Sequence, residues 1–190
     1  MRSVVALSLG LFVATAASSA RADVSSWLAV GGGFGLQQAS SSGNVDPAGM
    51  FTASVGVGSA PDHALVAGGL FRSTTYVNLG TDIGIAARLA TNGFVRGGLG
   101  VAVDLGVAYR YWRGGDYGTF PLQAVATLGL PAGMQLGVGG TFWSVDGQQP
   151  ALGGFVVLEM DFLRLTLMRK GNLEDYWPNP SAAGDIGRGK

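Results

Sequence analysis

The chain contains no cysteine and one histidine in 190 residues, and only 13% of it is charged. Without cysteine there is no disulfide scaffold and no thiolate metal site, and the compartment is left undecided. A single histidine ties any histidine-based catalysis to His63, and with scattered carboxylates it offers no metal-ligand spacing. Lysine plus arginine equal aspartate plus glutamate at 12 each, so a formal charge of zero argues against nucleic acid or an acidic substrate. Past the N-terminus there is also no apolar run approaching the roughly 20 residues of a membrane helix. What the chain does have is 47% hydrophobic residues and 33 glycines. That composition without a spanning helix leaves either a large buried core or a transmembrane barrel.

Residues 94–112, FVRGGLGVAVDLGVAYRYW, carry the decisive pattern. One set of alternate positions reads Val95, Gly97, Leu99, Val101, Val103, Leu105, Val107, Tyr109 and Tyr111. The other reads Arg96, Gly98, Gly100, Ala102, Asp104, Gly106, Ala108, Arg110 and Trp112. A strand sends these sets to opposite faces. A helix is excluded because the apolar residues do not recur at three-to-four spacing and each glycine would weaken it by about 1 kcal/mol. Soluble strands average about 5–6 residues, and this one holds its phase far longer. Its charges share a face with glycine and alanine, as expected when that face lines a narrow lumen and the bulky face meets lipid.

Other segments repeat the alternation. Residues 27–37 set Leu28, Val30, Phe34 and Leu36 against Ala29, Gly31, Gly33 and Gly35; residues 49–59 set Phe51, Ala53, Val55 and Val57 against Thr52, Ser54, Gly56 and Gly58. The phase of 63–73 is not fixed by its sequence. Residues 76–90 oppose Val77, Leu79, Ile83, Ile85 and Leu89 to Asp82, Gly84 and Arg88, and the Asn92-Gly93 pair that follows predicts a tight hairpin. Residues 120–130 and 134–143 follow suit. The last strand, 152–169, points Val156, Leu158, Met160 and Phe162 outward with Glu159 and Asp161 inward, and flips phase at Phe162-Leu163 through a β-bulge or a break into two strands. The fold class predicted is all-β, an eight-stranded antiparallel up-and-down transmembrane barrel with a polar lumen, an even count as bacterial barrels require. Short connections are predicted after strands two, four and six, longer polar ones after one, five and seven, and a short Thr74-Thr75 link after three.

The ends fit export. Residues 1–22 read as a cleaved signal peptide, with Arg2, an apolar stretch, and Ala20-Arg21-Ala22 before Asp23; 23–170 form the barrel and 171–190 a polar, disordered periplasmic tail. The chain resembles the small eight-stranded outer-membrane barrels of the OmpA N-terminal and OmpX type, in architecture and pattern rather than by a diagnostic motif. The resemblance implies outer-membrane lipid and lipopolysaccharide as surroundings and the barrel assembly machinery as a partner. The polar tail departs from it, since such barrels end on an aromatic terminal strand.

Asp82, Arg88, Arg96, Asp104, Arg110, Glu159 and Asp161 are expected to pair as a lumenal charge network, because unpaired charges in a closed interior are costly. Phe51, Phe71, Tyr109, Tyr111, Phe120 and Phe142 are expected to form an aromatic girdle near the loop-side strand ends. A triad from Ser59, Asp62 and His63 would sit in a tight turn, and the glycine clusters at 31–35 and 97–100 lie within strands rather than at a dinucleotide loop. The function expected is non-catalytic: a membrane-structural or surface-contact barrel with a plugged lumen, no cofactor, no metal, and a ligand at its outer loops. A lipid-processing enzyme and a small ion channel are the alternatives.

Overall fold

A computed structural model of the chain describes residues 25–61, 63–112, 117–144 and 150–163. The predicted leader, the tail, and the stretch of the last strand that decides between bulge and break lie outside these residues. Eight strands form: β1 (Ser25–Gln38), β2 (Val45–Gly58), β3 (Leu65–Tyr76), β4 (Gly80–Thr91), β5 (Gly100–Trp112), β6 (Leu122–Gly129), β7 (Met134–Trp143) and β8 (Ala151–Asp161). Each pairs antiparallel with its chain neighbours, and β1 pairs with β8 to close the barrel. Among the described residues every strand thus has a partner strand on both sides, which removes the open edge of a flat sheet.

The alternation explains how the faces sort. Ile85 and Leu105 point outward, each 61% exposed, whereas Asp104 is 1% exposed inside. Every charged residue in the described strands stands on the inner set of positions: Asp46, Arg72, Asp82, Arg88, Asp104, Arg110, Glu159 and Asp161. All are buried except Asp46, which is half-buried near the β2 end. The outer positions are almost wholly apolar, with Ser26, Gln38, Ser73, Thr75, Thr81 and Thr91 as the exceptions. Inside, glycine makes room for large rings: Cβ atoms on Gly58 and Gly68 would meet the Trp27 indole, and one on Gly139 would strike the Phe155 ring.

Several boundaries differ from the sequence reading. Val45, Asp46 and Pro47 belong to β2, because they pair with Gln38, Gln37 and Leu36 and lengthen the first hairpin. Thr74 and Thr75 lie within β3, and the turn after it is 77–79, with Asn78 at φ 69° where asparagine is tolerated. Leu79 packs inward on the Tyr76 cluster rather than outward.

The largest correction concerns residues 92–99. No tight hairpin forms there. Asn92–Val95 is a helical turn, α1, whose N-cap Thr91 accepts a hydrogen bond from the Phe94 N–H. It ends in a Schellman motif: Gly98 N–H bonds Gly93 O at 2.9 Å, Gly97 N–H bonds Phe94 O at 3.0 Å, and Gly97 takes φ 73°. The strand therefore begins at Gly100 rather than Phe94. Connection lengths are accordingly less lopsided than the sequence suggests, since 92–99 is long and 77–79 is short on the opposite end.

Candidate functional site: a charged belt inside the barrel

Register assembles the belt. The β4–β5 ladder sets Arg88 opposite Asp104 and Asp82 opposite Arg110, all on the inner face. Arg88 grips Asp104 with two bonds, Nε–Oδ1 at 2.6 Å and Nη2–Oδ2 at 2.8 Å. Arg110 grips Asp82 the same way, at 2.9 and 2.8 Å. Two parallel bonds of this kind match the guanidinium fork to both carboxylate oxygens, which helps a buried pair offset its desolvation.

The first pair extends across the lumen. Arg72 of β3 donates from Nη2 to Asp104 Oδ2 at 3.1 Å and lies 3.9 Å from Glu159 Oε2. Glu159 in turn accepts from Thr52 Oγ1 at 2.6 Å. Thr52 and Glu159 stand on β2 and β8 with β1 between them, and Gly31 is the β1 residue paired to both. A Cβ there would lie 2.7 Å from the Glu159 Cγ, so the missing side chain lets the hydrogen bond pass over β1. The result is a chain from Arg88 through Asp104 and Arg72 to Glu159 and Thr52.

Aromatic rings bracket both ends of the belt. The Arg88 guanidinium carbon lies 5.2 Å from the Trp27 ring centroid and 5.4 Å from that of Phe94. That of Arg110 lies 3.8 Å from Trp112 and 4.5 Å from Trp143, inside the cation–π range. The Tyr117 ring is tilted against both tryptophans and its hydroxyl donates to Asp46, while Trp143 Nε1 donates to Ser40 at 3.1 Å. The belt thus lies between an aromatic mouth at the 113–121 end and a cluster of Trp27, Val66, Ala90, Phe94, Val95 and Ala102 at the other.

Of the residues the sequence singles out, Asp82, Arg88, Asp104, Arg110 and Glu159 meet in these two groups. Asp161 is the last residue of β8, opposite Ala29, and accepts from the Leu163 N–H at 3.0 Å. Arg96 does not belong: it is the exposed C-cap of α1, because the helical turn carries it off the strand face. Arg72 and Thr52 are the residues missed as network members. Arg72 was obscured because Val66 and Leu70 share its inner face while Ser73 and Thr75 face out, which erases the contrast between faces.

Of the girdle residues, all six face outward. Tyr109, Tyr111, Phe120 and Phe142 gather at the 113–121 end, with Tyr109 and Phe120 in edge contact at 5.6 Å. Phe51 is level with Thr75 near the same rim, but Phe71 sits at mid-strand between Val55 and Ile85. His63 is exposed in the 59–64 connection, where its carbonyl accepts from Asn92. Among the described residues no three of His, Cys, Asp and Glu are grouped to hold a metal. Comparison with protein-family models, curated proteins and solved structures gave no match.

Proposed function

We propose that this chain is an up-and-down barrel integral to a bacterial outer membrane, with a non-catalytic structural or surface-contact role. The observation that carries the reading is the inversion of faces. Contiguous apolar patches beyond a few hundred Å² are rare on soluble monomers, yet here an apolar band circles the whole barrel while the ions are buried. On β5 the outward apolar run goes from Val101 to Tyr111. At about 3.3 Å per residue and a tilt near 40° it would rise about 25 Å, the height of the apolar band on such barrels.

The aromatic residues at the 113–121 rim fit an interfacial girdle, and that rim would face outward from the cell if both chain ends lie in the periplasm. Lipid and lipopolysaccharide would surround the wall, and any surface ligand would meet the loops at that rim. An eight-stranded barrel is narrow enough for side chains to fill, and the belt with its flanking rings supports a plugged lumen over an open pore. Two measurements test this. The protein should require detergent for solubility and should migrate faster on a gel before boiling than after. A monomer soluble without detergent, with no heat-dependent shift, would contradict the reading.

A further inference from the structure

We propose that α1 is a stopper: it closes one end of a water-filled compartment inside the barrel, and its release opens that compartment. The inference rests on the membrane reading above.

Among the described inner-face atoms that are buried without a hydrogen-bond partner are Ser54 Oγ, Arg72 Nε, Thr127 Oγ1, Gln135 Oε1 and Glu159 Oε2. Each belongs to a residue no more than 5% exposed. Buried polar groups are nearly always satisfied, by water where protein does not serve. The set mixes a cationic donor, two acceptors and two hydroxyls, which suits water and disfavours a metal cation beside the Arg72 guanidinium. The 3.9 Å between Arg72 Nη2 and Glu159 Oε2 is an ion pair too long for a direct hydrogen bond, which leaves room for water to serve both groups. Gln135 is paired with Glu159 across β7 and β8, and Ser54 with Arg72 across β2 and β3, two stretches of the lumen wall.

That wall ends at α1. Phe94 and Val95 tuck into the lumen against Trp27, Val66, Ala90 and Ala102. The Phe94 ring reaches from Arg88 on β4 toward β6, where a Cβ on Gly129 would lie 2.8 Å from it. An apolar turn spanning the bore excludes water without any ion pair. The turn is held from outside by a latch. Asn92 donates through Nδ2 to the Pro61 and His63 carbonyls, and through its backbone N–H to Ala64 O at 3.0 Å. The stopper is therefore tied to the neighbouring 59–64 connection, and cutting the tie loosens it without carving a hole in its packing.

The absence of native cysteine allows a clean test. Ser54→Cys places one thiol, nearly isosteric, on the compartment wall. Its modification by 2-aminoethyl methanethiosulfonate is timed in detergent-folded protein, alone and combined with Phe94→Ala or Asn92→Ala. Both combinations should accelerate labelling, Phe94→Ala by at least about tenfold, since a tenfold shift in opening needs only about 1.4 kcal/mol. Asn92→Ala keeps the core intact and serves if Phe94→Ala fails to fold. Unchanged labelling in a heat-modifiable Asn92→Ala barrel overturns the stopper. Loss of heat-modifiability in the Ser54→Cys parent and in the unmodified protein alike strikes the membrane reading instead.

Discussion

The two faces of β5 are one backbone under opposite rules. Outward, Val101, Val103, Leu105 and Val107 are each exposed and touch little of the protein, so packing leaves their size free to vary, and under the membrane reading proposed above only their apolarity is fixed. Inward, Ala102, Asp104, Ala108 and Arg110 are buried, and there both size and charge are fixed by what stands across the lumen. A soluble barrel would reverse these rules. The proposed membrane reading accounts for the contrast: polarity would follow the medium outside the wall, and shape complementarity follows the space within it.

Substitutions that exchange the rules should break the contrast in graded fashion. Asp104→Ala removes the shared partner of Arg88 and Arg72 and leaves two guanidinium groups buried. We expect a loss of about 3–5 kcal/mol in urea unfolding of the barrel in lipid vesicles. Leu105→Arg, one position along, puts a charge on the proposed lipid face near mid-strand and should cost about 2–4 kcal/mol in the same assay. A loss under 1 kcal/mol for Leu105→Arg would count against lipid contact, because an exposed aqueous site tolerates such a change. Thr52→Val deletes the hydroxyl that serves Glu159 and should cost about 1–2 kcal/mol; pairing it with Glu159→Gln should give less than the sum, as neighbours do. Arg96→Ala should stay within about 0.5 kcal/mol, since its side chain is exposed at the end of α1. A large loss there would restore Arg96 to the lumenal network.

Much of this architecture was readable because strand alternation is local. Wherever every second residue was bulky and apolar, as in β1, β2, β5, β6 and β7, the outward face followed directly. Arg88 and Asp104, sixteen positions apart, could be placed on one face but not paired, because pairing depends on register between strands. Arg72 was missed for a different reason: β3 carries Val66 and Leu70 on the inner face, packing that only the closed lumen requires. The α1 turn was hidden by coincidence, as Val95, Gly97 and Leu99 continue the alternating phase of β5 into a segment that coils. Its signals were present in Thr91, three residues before Phe94, and in Gly97 at the position that needs positive φ. A strong Asn-Gly hairpin signal outweighed them.

The most direct test of the outward face uses single cysteines at Leu105 and at the exposed Arg96, labelled with a small environment-sensitive fluorophore before refolding into vesicles. A label at Leu105→Cys should be quenched by lipids brominated near the bilayer centre and shielded from aqueous iodide, with the label at Arg96→Cys showing the reverse. Iodide quenching at Leu105→Cys, with no effect of brominated lipid, would contradict the account.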